Sequence, residues 1–340
     1  MTAHPMISAR ALGAMPDFIL MEAGTRGLLR AYSVAGLPAG IEKDDSHFVP
    51  QRSVMQFLDQ GARLVGDSRI GLALAMYLTP AAYGVYGDYV LSAPTLADAI
   101  SRTRRALRWH SSRDELGIED RGELVAYTYR FASAAQPCYE NIAYGAAGVL
   151  FNLVRCYLGR HWRPERIELD LPREPGMTRA QDTFGCRVQG GAERIGIVFP
   201  RDLLTTQRPD QGRHPSVTLA DIRRSRSRGA PKSLPDVVHE VVRLQLLASN
   251  VDLESVAQRL ELGPRTLQRQ LDRSGLQFRD VVSRVRVERA KELLAERDLS
   301  ITHIAAELGY SAPSHFARAF ARGTGLSPGQ FRKGFAAAGA

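Results

Sequence analysis

Apolar residues recur at helical spacing from the first quarter of the chain: Val54, Phe57, Leu58 and Val65 form one stripe, and Ile70, Leu72, Leu74 and Leu78 lie in a second helix. Leu96 to Trp109 reads as a third helix, opening after Pro94 with Thr95 as its cap. The period then changes. Leu116–Ile118 and Glu123–Phe131 predict a hairpin around Glu119-Asp-Arg-Gly122. Ile142, Ala146, Val149, Leu150, Leu153 and Tyr157 return to helical spacing on a long helix. Ile167–Leu171 and Arg194–Phe199 alternate as strands, the second following the turn residues Gly190-Gly191. The pattern predicts a mixed α/β domain over residues 1–204.

Between Thr205 and Pro235 the periodicity stops. Pro209, Pro215, Pro231 and Pro235 flank the run Arg223-Arg-Ser-Arg-Ser-Arg228-Gly229, so residues 205–235 read as a basic, extended and exposed linker. Beyond it almost everything reads as short helices, and the pattern repeats. Val256-Ala257-x-x-Leu260 recurs as Ile304-Ala305-x-x-Leu308, and Leu267-x-Arg269-x-Leu271 recurs as Phe316-x-Arg318-x-Phe320. The offset is 48 residues at the start and 49 after Pro313, which fits two copies of a helix-turn-helix unit with one extra residue in the second. The whole chain is therefore α+β: a mixed α/β domain followed by an all-α domain over residues 236–335.

Each copy carries its own punctuation. Asp252 and Ser300 stand as caps before the first helices, and Ala257 and Ala305 let two helices cross closely. The second helices open at Gly263-Pro264 and at Ser311-Ala312-Pro313, where proline loses no helical hydrogen bond. Leu267 and Leu271, or Phe316 and Phe320, face inward, which leaves Arg265, Gln268 and Arg269 exposed in one copy and Ser314, His315 and Arg318 in the other. Arginine can bond a guanine edge with two donors and glutamine can do the same at adenine, so these side chains suit major-groove reading. Val282, Val285, Ala290, Leu293 and Leu294 mark a long helix that sets the separation of the copies, about one turn of DNA or roughly 10 bp.

Charge supports a polyanionic partner for one half only. Residues 1–200 hold 22 basic and 21 acidic residues, residues 201–235 hold 8 and 3, and residues 236–340 hold 15 and 12, so nearly all of the net +9 lies in the last 140 residues. A length of 340 residues suits two domains at roughly 150 each. No stretch approaches the roughly 18 apolar residues of a membrane span, and MTAHPMISARALGAMPDF does not read as a secretory signal. Cys138, Cys156 and Cys186 include no C-x-x-C pair, which argues against a disulfide framework or a zinc ribbon. A soluble cytoplasmic protein is expected, with no metal and no cofactor.

At Ile301-Thr-His-Ile-Ala-Ala-Glu-Leu-Gly-Tyr310, Ser314-His-Phe-Ala-Arg-Ala-Phe320, Gly325-Leu-Ser-Pro328 and Phe331-Arg332, residues 236–335 resemble the DNA-binding domain of the AraC/XylS family of bacterial transcription regulators. The resemblance implies base-reading positions at Arg265, Gln268 and Arg269, and at Ser314, His315 and Arg318. Glu261 departs from the pattern, since the second copy has Gly309 in its turn. Val49-Pro50, Gly66–Leu72, Ser92–Leu96 and Phe184-Gly185 resemble the arabinose-binding-like sensor domain of one subgroup of that family, a label that implies neither arabinose nor any sugar. The resemblance implies an activator with promoter DNA, a small-molecule effector, a second copy of itself and RNA polymerase as partners.

The other class considered is a small-molecule-modifying enzyme with a DNA-binding tail. No G-x-S-x-G, H-E-x-x-H, Walker A or G-x-G-x-x-G pattern occurs, and His239-Glu240 lacks a second histidine, so no catalytic residue is expected. Cys138 and Cys156 read as inert core thiols. Tyr77, Tyr83, Tyr86 and Tyr89 are either walls of an effector pocket or core tyrosines with satisfied hydroxyls. Arg102, Arg104, Arg105 and Arg108 are either an acceptor for an acidic effector or a solvated helix face. The helix around Gly145-Ala-Ala-Gly148 packs in the core or forms a dimer seam, and no effector residue is named.

Overall fold

A computed structural model describes residues 4–173, 177–209, 216–226, 228–248, 251–296 and 298–338, with side chains to residue 334. Pro215 and Ser227 of the basic segment lie outside the described residues. The chain divides into two compact units, one over Pro5–Ala230 and one over Pro231–Ala340.

The first unit runs β1 (Met6–Ser8), α1 (Met15–Ala35), β2 (Phe48–Pro50), α2 (Gln51–Val65), α3 (Ile70–Ala75), α4 (Gly84–Leu91), α5 (Leu96–Ala106), β3 (Glu115–Arg121), β4 (Leu124–Arg130), α6 (Tyr139–Leu158), β5 (Arg166–Glu168), α7 (Thr178–Phe184), β6 (Val188–Gln189), β7 (Ile195–Pro200) and α8 (Leu219–Ser225). Its main sheet has the order β3-β4-β7-β5-β6, antiparallel except for the β5–β6 pair, and β1 pairs with β2 in a small second sheet. The apolar side of α6 carries the core: Ala147, Phe151 and Val154 are buried, and α6 packs on β7 and α3. The cap at Thr95 forms, its hydroxyl accepting the Asp98 N–H at 3.2 Å.

Three expectations change here, and one open alternative closes. The hairpin turn sits at Gly122-Glu123, because β3 continues through its charged residues to pair Arg121 with Leu124. This is an exposed strand whose charges pair across the sheet, Arg121 with Glu168 at 2.7 Å and Arg194 with Glu119 at 3.6 Å, so polarity does not end it. Of the two readings of the Gly145–Gly148 side of α6, core packing is the one seen: a Cβ on Gly148 would collide with the Ala75 backbone of α3, and Leu150 is buried. Cys138 is not a core thiol but an exposed one, at the cap position of α6 with a left-handed φ of 67°. In the Val281-Val282 pair of the long helix Phe278–Ala295, Val281 is the buried residue, alongside Val285 and Val287.

The basic segment expected to be extended and exposed is folded in its second half. Thr218 and Asp221 form a reciprocal capping box that starts α8. Ile222 and Arg226, one turn apart, then face the unit and are buried. The Arg226 guanidinium donates to the Trp109 carbonyl, pairs with Asp45 at 3.6 Å and lies over the Phe48 ring. Two guanidiniums approach the Trp109 ring, Arg108 at 3.8 Å from its centroid and Arg223 at 5.7 Å. These arginines are structural, as is Arg102, which donates to the Tyr89 carbonyl at 2.9 Å and to Ser92 Oγ at 2.7 Å.

The second unit is all helix: α9 (Leu234–Leu247), α10 (Leu253–Arg259), α11 (Pro264–Asp272), α12 (Phe278–Ala295), α13 (Ile301–Glu307), α14 (Pro313–Thr324) and α15 (Pro328–Ala338). The long α12 packs on α9 on the side of the first helix-turn-helix and on α13, α14 and α15 on the side of the second. None of the described helices is long and apolar enough to cross a membrane.

Candidate nucleic-acid interface

The two helix-turn-helix units are built alike, bond for bond. Asp252 Oδ1 accepts the Ser255 N–H at 2.7 Å to start α10, and Ser300 Oγ accepts the His303 N–H at 3.0 Å to start α13. Each first helix ends in the same pair of backbone bonds: Leu262 N–H to Ala257 O and Glu261 N–H to Gln258 O in one copy, Tyr310 N–H to Ala305 O and Gly309 N–H to Ala306 O in the other. That closure puts the turn residue in left-handed backbone, with φ of 74° at Gly309 and 52° at Glu261. For a glutamate this costs about 1–2 kcal/mol, so the first turn is held by its surroundings where the second is intrinsically relaxed. Proline then opens α11 and α14 at the first helical turn.

Packing decides which side of each second helix is free. Leu267 and Leu271 are fully buried, as are Val256 and Ala257 of α10, which packs on α11. Phe316 and Phe320 take the same places in the second copy, 5.7 Å apart, with Tyr310 and Phe331 closing the cluster. Arg265, Gln268 and Arg269 are exposed on α11, and Ser314, His315 and Arg318 are exposed on α14, so each trio shares the face opposite the buried one. His315 Nδ1 lies 3.3 Å from Ser311 Oγ, which turns the ring toward the start of its helix.

The 49-residue offset also makes Arg273 and Arg322 equivalent positions, both exposed, each one helical turn beyond Arg269 and Arg318. Reading the two copies against each other over the whole second helix would have found this pair.

Arginine is used in two distinct ways in this unit. Those facing the helix interfaces are engaged: Arg289 holds Glu292 at 3.0 Å and Glu307 at 3.2 Å, Arg243 holds Glu240 at 3.1 Å, and Arg286 lies over the Tyr310 ring at 5.1 Å. Arg265, Arg269 and Arg318 on the exposed faces have no ion-pair partner among the described residues. Their donors stand available to an external acceptor, and a guanidinium's planar fork matches both a guanine edge and a phosphate.

The engaged set ties α9 to α12 and α13. Within it His239 Nε2 meets Glu288 at 2.8 Å and Nδ1 lies 3.5 Å from Glu240, so the histidine that sequence spacing excluded from a zinc motif is a structural one. Burial opposes charge on this ring, yet the bonds to Glu240 and Glu288 favour it and raise its pKa above 6.5. The stability supplied by the charged ring is complete below the unfolded-state pKa and lost as pH rises through the higher folded-state value. Thermal melts of the full chain from about pH 6 to about pH 9 should therefore show a steeper loss of stability in wild type than in His239→Gln. Parallel pH profiles for the two proteins would remove this role.

Metal chemistry has no visible seat, since no group of three His, Cys, Asp or Glu side chains converges among the described residues. The thiols are also poorly disposed to react: burial raises the pKa of Cys138 and Cys156, and pushes Cys186 up to about 11.

Paired helix-turn-helix units sharing one strut, with their polar faces free, define a DNA-binding protein. Residues 256–334 match the helix-turn-helix domain family, and residues 28–207 match the family described as "Arabinose-binding domain of AraC transcription regulator, N-term". The chain belongs to the AraC family of transcription regulators. It is similar to the ornithine utilization regulator of Pseudomonas aeruginosa, 27% identical over 279 residues that cover 79% of this chain and 80% of that one. It is also similar to the HTH-type transcriptional regulator VirS of Mycobacterium tuberculosis, 26% identical over 304 residues covering 87% and 88%. Over 88 residues, 26% of this chain and 32% of the relative, it is 40% identical to the HTH-type transcriptional activator RhaS of Escherichia fergusonii. This protein is thus a DNA-binding transcription regulator.

Proposed function

We propose that α11 and α14 enter successive major-groove segments of promoter DNA, about one helical turn apart, with Arg269 and Arg318 reading guanine edges. Arg265, Gln268, Ser314 and His315 complete the reading faces, and Arg273 and Arg322 meet phosphates beside them. The observation that carries this reading is the contrast just described: arginines at the helix interfaces are engaged, while those on the reading faces are unpaired.

The first unit is read as a sensor of a small molecule and not as an enzyme, in keeping with a family of transcription regulators. The protein works as a homodimeric activator in the bacterial cytoplasm, on the nucleoid, with RNA polymerase as its further partner. Its effector acts through α8, because that helix leads from the first unit into the second and is pinned to the first by Arg226.

Fluorescence anisotropy with DNA from upstream of the protein's own gene and of its neighbours tests the assignment. Binding should be sequence-selective, with log K falling linearly in log salt as phosphate contacts release counterions. Equal affinity for every duplex at every salt concentration would reduce the second unit to a phosphate holder and defeat the reading.

A further inference from the structure

Inside the first unit, between α4, α5, α6 and the β3–β4 hairpin, lies an apolar cavity of about 100 Å³. Met15, Val54, Leu150 and Leu153 are among its aliphatic lining residues, and its polar groups come from Tyr83, Tyr86, Tyr127, Tyr129, Thr103 and His110. Of the four tyrosines in the 77–89 stretch, only Tyr83 and Tyr86 reach it; Tyr77 is exposed and Tyr89 packs elsewhere. No charged side chain lines it.

Most of its polar groups already have partners. Tyr86 donates to the Thr103 carbonyl at 3.1 Å, Tyr127 donates to Thr103 Oγ1 at 3.2 Å, and Tyr129 donates to Asp114 at 2.7 Å. The exceptions are the Tyr83 hydroxyl, for which no partner is seen among the described residues, and His110. The histidine is only 8% exposed, its ring is stacked on Tyr86 at 4.9 Å and packed on Tyr83 at 5.2 Å, and its Nδ1 is a buried nitrogen with no hydrogen-bond partner. Burial and the nearby Arg226 push its pKa down to about 3, so the imidazole is neutral and has one nitrogen to donate and one to accept. A water molecule wants about three partners and this site offers few, whereas apolar cavities of comparable size, roughly 150 Å³, stay dry and take up benzene.

We propose that this cavity is the effector site, and that it takes a small neutral molecule of about one ring with a single hydroxyl, carbonyl or amide group directed at His110. The proposal rests on the sensing role assigned above and gives it a location. An ionised ligand is disfavoured because nothing in the walls would compensate the loss of its hydration. Occupancy has a short route outward: His110 follows Trp109, whose carbonyl holds Arg226 at the end of α8.

The test is calorimetric titration of the full-length protein with phenol, benzene and benzoate. Phenol should bind saturably at one site per chain, about tenfold more tightly than benzene for the added hydrogen bond, and benzoate should give no saturable heat. His110→Phe keeps the ring and removes the nitrogens, and should bring phenol down to the affinity of benzene. Ala146→Leu fills the cavity from another wall and should abolish both, with circular dichroism confirming that each variant is folded. No saturable binding of phenol or benzene, equal binding of benzoate, or phenol affinity unchanged in both variants would each overturn the proposal. Anisotropy on promoter DNA separates the site from the sensing role. Phenol that fills the cavity without changing DNA affinity would keep the site and sink the sensing role. A response to benzoate untouched by His110→Phe would do the reverse.

Discussion

Replacing Arg269 and Arg318 together with alanine should lower affinity for the cognate promoter site by roughly 30- to 20,000-fold, while leaving binding to random duplex nearly unchanged. Each side chain is exposed on the free face of its helix and lacks an intramolecular partner, so alanine removes an interaction with DNA and nothing else. A bidentate contact to a base edge is worth about 1–3 kcal/mol, and the two helices are far enough apart in sequence and packing for the losses to add. The opposite outcome has its own signature. If both arginines touched phosphates, affinity would fall by the same factor on every sequence and the salt slope would shrink by about two. Titrations at three or four salt concentrations, on cognate and scrambled duplexes, decide between these cases.

The second large effect concerns the first unit. Asp114→Ala should destabilise it by about 3 kcal/mol, or roughly 6–12 °C in its unfolding midpoint. The Asp114 carboxylate is buried and accepts from Gln51 Nε2 at 2.6 Å, Tyr129 Oη at 2.7 Å and the Ala132 N–H at 2.9 Å. Burial pushes its pKa up, against bonds from these donors that favour the charged form. Alanine leaves all three donors without an acceptor, and Ser133, which donates to Gln51 at 2.8 Å, is loosened with them. Asp114→Asn keeps an acceptor in place and should lose less. Calorimetry on the full chain reads both; an alanine variant melting within a degree of wild type would show that water replaces the carboxylate at little cost.

How much of this was legible in the sequence differs between the two units, for a physical reason. The second unit is duplicated, so every feature is written twice: Asp252 against Ser300, Pro264 against Pro313, Leu271 against Phe320. A pattern that recurs in order, at an offset of 48 and then 49 residues, can be told from chance. The first unit offers no such check. Its long α1 shows no clean stripe because Leu20, Met21, Leu29 and Val34 face outward and Gly24 breaks the helical backbone with φ of 67°. The helix α8 was hidden beneath its own charge, although Thr218-x-x-Asp221 before Ile222 is a capping signature. A run of arginines reads as solvated, and the burial of one of them depends on partners at Asp45 and Trp109, far away along the chain.

The same contrast holds for the sites. The exposure of the six positions proposed to read bases follows from helical period alone, since an exposed face is whatever the buried face is not. The cavity follows from nothing local. Its walls come from Ile7 to Leu153, and His110 in isolation looks like any core histidine.

The pinning of Arg226 also decides where this chain can be divided. Residue 204 is where the composition changes, but a sensor truncated there would lack Ile222, the Arg223 cover over Trp109 and the Arg226 partner of Asp45. It would present bare aromatic surface around Phe48 and Trp109 and tend to self-associate for reasons unrelated to any native dimer. A fragment ending at Ala230, whose N–H still reaches the Arg108 carbonyl, keeps that surface sealed and is the piece in which oligomeric state can be read without artefact.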